Sequence, residues 1–514
     1  MTHRPNLRHT LLTARKAIKT LTLTRGFGVR DSWMPIGLAA ALCLAACSEA
    51  PSPPAEEVDT AAPAPADTPT PDTVMAQWEE TLGGQFRAAI ALDEADFMES
   101  WDGERDRWIE ALESVESPAI NLERVRYEWA YGRMLYPVLH ARITGTPRQT
   151  PSAAYEAWID EIEFSRPDLL QLDEYTGFIS TRAEMQGDIL FDDPQIALSG
   201  RAQYLDARLS ATEAFEDPAV RCFLQAGVFE YWLESYDGNG TAGQFEAYAE
   251  ACPGERTDAI MERFASETEA LSSVPSHVYK TVDGHELEVF VTVPDGHDVN
   301  SPRPAALFFH GGGWFFGNWS WCGPCRFFKE RGHVVIQVEY RNRGRFRTRA
   351  GDALEDAQDA IAWVRENADM LGVDPSRIAA TGFSAGAHLS MTSGALLEPG
   401  DPRRPDLIAA FSGCAAMDDA DYPIRQAGSL EEATRLSPVR LEAPTSPPIF
   451  FANARRDTDC DFEIISAYAD TLEAGGSTVF LHDGGQRGHF FMRDPEAASA
   501  VREDLFAFLD QQGW

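Results

Sequence analysis

The sequence predicts an α/β fold, a mostly parallel sheet with helices on both faces, preceded by an all-α domain. Three observations carry that expectation. The apolar run Ile378-Ala379-Ala380-Thr381 leads into Gly382-Phe383-Ser384-Ala385-Gly386 and then into the helix-like Ala387-His388-Leu389-Ser390-Met391. So tight a turn between strand and helix admits only glycine two residues either side of the serine. About 75 residues upstream, a second strand-like run, Ala305–Phe309, is followed by His310-Gly311-Gly312-Gly313-Trp314. Between about Val74 and Leu271 the apolar residues instead recur at helical period, with no β-rich run to interrupt them.

From the start of the chain, residues 1–33 carry Arg4, Arg8, Arg15, Lys16, Lys19, Arg25 and Arg30 against one acid, Asp31, and the apolar run Ile36 to Ala46 follows. A positive segment, a short apolar core and small residues before a cleavage point describe a secretory signal, and the core is too short to span a bilayer. Leu44-Ala45-Ala46-Cys47 resembles the bacterial lipobox, which implies Cys47 as the lipidated first residue of the mature protein and 1–47 as a lipoprotein-type signal. Ser48 brings no aspartate-type inner-membrane retention signal, so the expected site is the cell envelope, at the outer membrane. Residues 48–73 are Pro, Ala, Thr, Glu and Asp with almost nothing apolar to bury, and read as a semi-extended tether.

Residues 74–275 read as an all-α domain. Asn121 to Tyr131 is one helix, and Pro218 to Trp232 another, with Asp217 as its N-cap and Pro218 at the first helical position. Tryptophans and tyrosines at helical spacing here are core residues, and no metal-ligand spacing occurs. Three roles stay open for the domain: a cap over Ser384, a partner-binding module, or a spacer.

Residues 276–514 hold the chemistry. The strained turn lifts the Ser384 hydroxyl above the sheet edge at a positive helix N-terminus, where it is suited to nucleophilic attack. A serine nucleophile needs a base, and the base an orienting acid. Of eleven histidines only His482 and His489 lie beyond the helix that follows Ser384. His489 stands in Gly484-Gly485-Gln486-Arg487-Gly488-His489-Phe490-Phe491, a glycine-rich loop after the strand-like Thr478–Leu481, and is the candidate base. His482 at the strand end and His388 on the serine's own helix read as structural. For the acid, Ile449-Phe450-Phe451-Ala452 reads as a buried strand, and the loop after it carries Asp457, Asp459 and Asp461. Asp457 comes soonest after the strand and is the first choice. Asp418, after the strand Leu407–Phe411, is the alternative.

These stretches resemble the α/β-hydrolase superfamily, specifically the bacterial esterase/lipase group that includes hormone-sensitive-lipase-like and acetyl or feruloyl esterases. The resemblance runs through His310–Trp314, Val338-Glu339-Tyr340-Arg341, Asp356 to Arg365 ahead of Gly372-Val373-Asp374-Pro375, Ser384-Ala385-Gly386, Asp457 and His489. Two positions depart from the pattern: Ala454 stands where the acid is usually preceded by glycine, and Gly386-Ala387-His388 replaces the usual Gly-Gly-His. The resemblance implies Ser384 as nucleophile with Asp457 and His489 as its partners, and an oxyanion hole from the backbone N–H groups of Gly312, Gly313 and Ala385. The implied reaction is hydrolysis of a small-molecule ester through an acyl-enzyme, with no metal and no cofactor. An exopeptidase on the same fold is the nearest competing reading, and the His-Gly-Gly-Gly-Trp loop argues for an esterase over it.

Trp321-Cys322-Gly323-Pro324-Cys325 points to a different class, since it is identical to the thioredoxin active-site motif, in which a thiolate attacks disulfides. Here the oxyanion loop separates it from its strand, and Val334–Val338 belongs to the hydrolase pattern, so the pair reads as a local brace rather than a thiol-disulfide oxidoreductase. Setting aside Cys43 and Cys47, six of the eight cysteines remain, and the expected pairs are Cys222–Cys252, Cys322–Cys325 and Cys414–Cys460. The formal net charge is −37, and because residues 1–46 carry a net +6, their removal deepens it to −43. Such a surface excludes nucleic acid as a partner, and any contact with membrane is left to the Cys47 anchor. Trp314, Phe315, Phe316, Trp319 and Trp321 crowd the glycine loop, to line a substrate pocket or to pack beneath the loop. Arg341, Arg343, Arg345, Arg347 and Arg349 form a basic run that reads as a solvated loop or an anion-steering surface.

Overall fold

The computed structural model describes residues 69–147, 150–198, 200–441 and 446–514. The expected signal with Cys47, and nearly all of the expected tether, lie outside the described residues. Among the described residues no helix is long and apolar enough to cross a membrane. They form two compact units. One runs from the start of the described chain to Ile189 and includes Ser210–Gln225; the other comprises Leu190–Leu209 and Ala226–Trp514. The chain therefore does not divide near 275: residues 226–275 belong with the sheet.

The first unit is helical. Its helices include α1 (Pro71–Ile90), α2 (Glu94–Ser114), α3 (Ala119–Thr144), the single turn α4 (Ala153–Glu156) and most of α5 (Asp173–Asp192). The start of α1 is fixed by a reciprocal cap: Thr73 N–H donates to the Thr70 hydroxyl oxygen at 3.3 Å, Thr70 N–H to the Thr73 hydroxyl at 2.8 Å, and Pro71 takes the first helical position. In α3, Pro137 has no N–H to offer the Arg133 carbonyl one turn earlier, and the Tyr155 hydroxyl donates to that carbonyl instead. Aromatic rings fill the centre: Phe97 stacks on Tyr136 with centroids 4.0 Å apart, and Trp101 donates its indole N–H to the Trp129 carbonyl at 3.0 Å.

Three helices run across the division between units: the end of α5, α6 (Gln203–Thr212) and α7 (Pro218–Ser235). The second unit continues with α8 (Ala242–Ala251) and α9 (Glu255–Ser272) and then the sheet. Its strands are β1 (Ser276–Val282), β2 (His285–Thr292), β3 (Arg303–Phe309), β4 (Val334–Val338), β5 (Val373–Phe383), β6 (Leu407–Phe411), β7 (Ile449–Asn453) and β8 (Val479–Asp483), in the spatial order β1-β2-β4-β3-β5-β6-β7-β8. β1 and β2 pair antiparallel, as do β2 and β4; all the remaining neighbours are parallel.

The central strands are near-continuous apolar runs because both faces are covered. Alternate residues of β3 and β5 part to opposite sides: Ala305, Leu307, Phe309, Ile378 and Ala380 join one core, Ala306 and Ala379 another. The first core is closed by α12 (Ala350–Glu366), through Ala353, Ala357, Ile361 and Val364; the second by α18 (Pro495–Gln511), through Ala498, Val501, Leu505 and Phe508. The other helices of the sheet region are α10 (Cys325–Glu330) and α11 (Arg343–Phe346), ahead of α12, and α13 (Ala368–Leu371), α14 (Ala385–Leu396), α15 (Asp421–Ala427), α16 (Leu430–Arg435) and α17 (Phe462–Ala474), between α12 and α18. The α/β architecture expected from the sequence is the one observed. The antiparallel edge β1–β2 was not foreseen, although its Asp283-Gly284 turn, with φ 50° and 78°, is a recognisable hairpin signal.

Candidate active site

Four loops at the carboxyl ends of parallel strands carry the residues singled out in the sequence. Such ends are where open α/β sheets bind ligands. β5 runs straight into Ser384, which has φ 56° and ψ −119°, and α14 begins at the next residue. That backbone is strained for a serine and is held from both sides. Ser384 N–H donates to the Phe411 carbonyl at 2.9 Å, and its own carbonyl accepts His388 N–H at 3.0 Å. A Cβ on Gly386 would run into the Phe309 backbone, and one on Gly382 would lie 2.7 Å from the Phe309 carbonyl oxygen. The turn is therefore open only to glycine at both places, and Ser384 is left half-buried at its crest.

Asp457 and His489 are brought together by two loops knitted along their length. β7 and β8 end in register at Asn453 and Asp483. Beyond them Arg455 N–H donates to the Gly485 carbonyl at 2.8 Å, and Arg456 N–H to the Arg487 carbonyl at 2.9 Å. His489 Nδ1 then lies 2.8 Å from Asp457 Oδ2, both groups buried. Asp457 Oδ1 accepts the N–H groups of Asp459 and Cys460, each at 2.9 Å. A carboxylate oxygen cannot donate, so the proton of this pair sits on Nδ1 and leaves Nε2 as the basic nitrogen. Ser412 donates its hydroxyl to the His489 carbonyl at 2.7 Å, and the His489 ring packs on Phe383, beside Ser384, with centroids 5.0 Å apart. The Cys414–Cys460 disulfide, Cα–Cα 4.6 Å, ties the loop of Asp457 to the segment after β6.

The glycine loop after β3 turns through left-handed backbone. Gly312 and Gly313 have φ 123° and 58°. The Gly311 carbonyl accepts His310 Nδ1 at 2.7 Å, and the Gly312 carbonyl accepts the N–H groups of Phe315 and Phe316 at 3.0 and 3.1 Å. Tyr422, on α15, donates its hydroxyl to the Gly313 carbonyl at 3.0 Å. Among the described residues, the N–H groups of Gly312, Gly313 and Ala385 make no hydrogen bond. The His310 ring is stacked on Tyr340 at 4.2 Å, and burial depresses its pKa to about 4, so it stays neutral beside the loop.

Other candidates fall elsewhere. Asp418 faces Arg440, 2.8 Å from its Nε, and Asp461 caps α17 by accepting Glu463 N–H. His388 is fully buried, 2.8 Å from the Leu436 carbonyl and edge-on to Trp314, with its pKa lowered to about 4 by burial. His482 is bonded to Asp504 at 2.6 Å. Asp457, Cys460 and His489 lie within metal-ligand reach of one another, but the Cys460 sulfur is committed to the disulfide and offers no thiolate. Cys322 and Cys325 are bonded to each other at the start of α10, Cα–Cα 5.3 Å.

Apart from exposed Arg349, the basic run is neither solvated nor free to steer anions. Arg341 is paired with buried Asp356 at 2.8 Å, Arg345 with Asp237 and Glu339, and Arg343 with Asp192 at 2.9 Å. Arg347 donates to the carbonyls of Leu190, Asp193 and Ile196, and the more exposed Arg349 to that of Arg425. The aromatic group divides. Trp314, Phe315 and Trp319 are buried, Trp319 lying flat on Phe290 at 3.6 Å. Phe316 is half-buried and Trp321 is 40% exposed. The sequence reading missed Ser412 and Tyr422, which touch the site only by tertiary contact and carry no motif.

The sheet order and the serine turn define an α/β-hydrolase. A family model described as BD-FAE matches residues 292–400, the stretch from the end of β2 past the serine helix. Carboxylesterase NlhH of Mycobacterium tuberculosis is 29% identical over 244 residues, 41% of this chain and 74% of that protein. Non-reducing polyketide synthase atr1 of Stereocaulon alpinum is 26% identical over 200 residues, 37% of this chain but 8% of the synthase. The matched segment is thus similar to the esterase group of the α/β-hydrolases. Among solved structures, Thermogutta terrifontis esterase 2 phosphoramylated by tabun is similar at 27% identity and a TM-score of 0.44, over 47% of this chain and 96% of that one.

Proposed function

We propose that the protein is a serine esterase acting on small acyl or carbohydrate-linked esters through an acyl-enzyme. The observation that carries this reading is the buried 2.8 Å contact between His489 Nδ1 and Asp457 Oδ2, in loops adjoining the strained Ser384 turn. In the proposed cycle, His489 Nε2 takes the proton from the Ser384 hydroxyl as its oxygen bonds to the ester carbonyl carbon. The carbonyl π electrons move onto oxygen, and the N–H groups of Gly312, Gly313 and Ala385 receive that charge. Asp457 stabilises the imidazolium and keeps its tautomer. The imidazolium then protonates the departing alcohol as the C–O bond breaks, leaving the acyl group on Ser384. Water attacks this second ester with His489 again as base, releasing the acid and restoring the serine. Asp459 and Cys460 N–H groups, both on Asp457 Oδ1, orient the second carboxylate oxygen toward the ring.

The half-buried Phe316 and exposed Trp321 support an apolar or sugar-facing wall near the glycine loop. The sequence of residues 1–47 supports export and lipid anchoring at Cys47, and loss of metabolic palmitate labelling in Cys47→Ser tests that. The chemistry is tested with p-nitrophenyl acetate and butyrate, aminoacyl anilides and a fluorophosphonate probe. Hydrolysis of the esters, its abolition by the probe, and a loss of several orders of magnitude in Ser384→Ala are expected. Near-wild-type ester turnover in Ser384→Ala refutes the assignment, and faster cleavage of the anilides than of the esters favours a peptidase.

A further inference from the structure

We propose that Tyr236 and Asp237, just beyond the end of α7, are positioning residues for the oxyanion loop, so that the helical segment before the sheet takes part in the reaction. This rests on the reading of Gly313 N–H as an oxyanion donor.

A peptide unit is planar, so its C=O fixes the direction in which the next residue's N–H points. The Gly313 N–H is therefore aimed by the Gly312 carbonyl, which is gripped by the N–H groups of Phe315 and Phe316 at 3.0 and 3.1 Å. The Phe316 N–H is aimed in turn by the Phe315 carbonyl. That carbonyl has two donors: Gly344 N–H at 2.8 Å and the Tyr236 hydroxyl at 3.3 Å. The following peptide is tied to the same place, with Gly317 N–H donating to the Ser235 carbonyl at 3.0 Å. Two consecutive peptides of the loop thus hang on Ser235 and Tyr236.

The support is itself buried and closely packed. Tyr236 is fully buried and stacked on Trp232 at 4.1 Å, and its N–H donates to the Trp232 carbonyl at 2.7 Å. Asp237, also buried, holds Arg345 through its carboxylate and through its carbonyl at 3.0 Å. Arg345 follows Gly344, the other donor to Phe315, and reaches Glu339 at 3.1 Å, which Arg201 also pairs. The two acids and two arginines balance, so losing the Asp237 charge leaves a buried guanidinium uncompensated next to Gly344. Both donors to the Phe315 carbonyl are therefore set by one block built around Asp237 and Arg345.

The test is Tyr236→Phe, which removes one hydroxyl and keeps the ring, in the full-length protein. A direct oxyanion donor is worth about 10²–10³ in kcat, and a prop acting through two peptide planes is expected to cost roughly tenfold. On p-nitrophenyl butyrate kcat should fall by that factor with KM nearly unchanged. A trifluoromethyl ketone, whose serine adduct places an oxyanion in the hole, should lose affinity by the same factor. Should Tyr236→Phe not accumulate as folded protein, Asp237→Asn carries the same test through Arg345. Wild-type kcat and inhibitor affinity in the variant, or a lowered melting temperature with no kinetic change, overturns the positioning role while leaving the esterase reading intact. Activity surviving in Ser384→Ala would instead remove the reading on which it rests.

Discussion

Replacing Asp457 by asparagine changes one atom, and the surroundings dictate how the new amide must sit. Asp457 Oδ1 accepts two backbone N–H groups at 2.9 Å, from Asp459 and Cys460, while Oδ2 faces His489 Nδ1 at 2.8 Å. An asparagine oxygen at the Oδ1 position keeps both backbone bonds and turns its NH2 toward the imidazole. Nδ1 must then accept, which moves the ring proton to Nε2 and leaves no base facing Ser384. Flipping the amide to restore the tautomer sets its NH2 against two N–H donors and leaves them unsatisfied in a buried site, at about 1–3 kcal/mol each. The wrong tautomer is thus favoured by at least about thirtyfold, and the charge that stabilises imidazolium is lost as well. Together these put the expected fall in kcat at about 10³–10⁴, with KM little changed. The assay is steady-state hydrolysis of p-nitrophenyl butyrate alongside the rate of fluorophosphonate labelling, which should slow in parallel. Asp418→Asn, whose carboxylate faces Arg440, should stay within a few fold. A variant Asp457→Asn within tenfold of wild type, with Asp418→Asn the damaged one, refutes the reasoning.

The Cys322–Cys325 bond follows the glycine loop and braces the start of α10, so Cys322→Ser/Cys325→Ser should lower the melting temperature without removing any insulin-reductase activity. Catalytic insulin reduction by the wild-type protein, lost in the double variant, would falsify this. Glu128 is buried in the helical unit, and desolvation chiefly, with Glu174 adding to it, pushes its pKa up to about 8. Between the ordinary glutamate value and about pH 8 the folded state binds more protons than the unfolded, so this group's stabilising contribution is full at low pH and is lost as pH rises through that window. Glu128→Gln should flatten the decline in melting temperature over that range, and an unchanged slope would contradict a neutral buried acid.

Much of the sheet unit was legible because its signals are local. Continuous apolar runs announced β3 through β8, and the glycines around Ser384 announced the strained turn, since the backbone itself forbids other residues there. The loop holding His489 was found by its glycines, and Asp457 by its distance from a buried strand. What stayed hidden depends on pairing across sequence. The arginine run reads as exposed because charged residues rarely bury unpaired, and nothing local shows that Asp356, Asp237, Glu339 and Asp192 come to meet it. For the same reason the helical residues 226–275 read as part of a separate domain: their period shows one buried face, but not that Arg345, some 108 residues away from Asp237, helps to cover it.

The burial of those arginines bears on substrate charge. Arg341, Arg343 and Arg345 are consumed in ion pairs, and Arg347 in carbonyl contacts, so the run adds little positive potential outside the fold. What remains at long range is the field of a chain whose formal net charge is −37. A neutral ester approaches this surface without hindrance, whereas a carboxylated one is repelled over a Debye length, about 10 Å at 0.1 M salt and about 30 Å at 0.01 M. Comparing p-nitrophenyl butyrate with mono-p-nitrophenyl succinate at low and moderate salt isolates this effect, since both present the same leaving group. For the neutral ester kcat/KM should be flat with ionic strength. For the anionic one it should rise several-fold as salt screens the repulsion, a change in encounter rate rather than in kcat. A kcat/KM for the succinate that falls as salt is added would mean that an accessible cation faces the Ser384 cleft, and that the clamped arginines are not the whole of the basic surface near it.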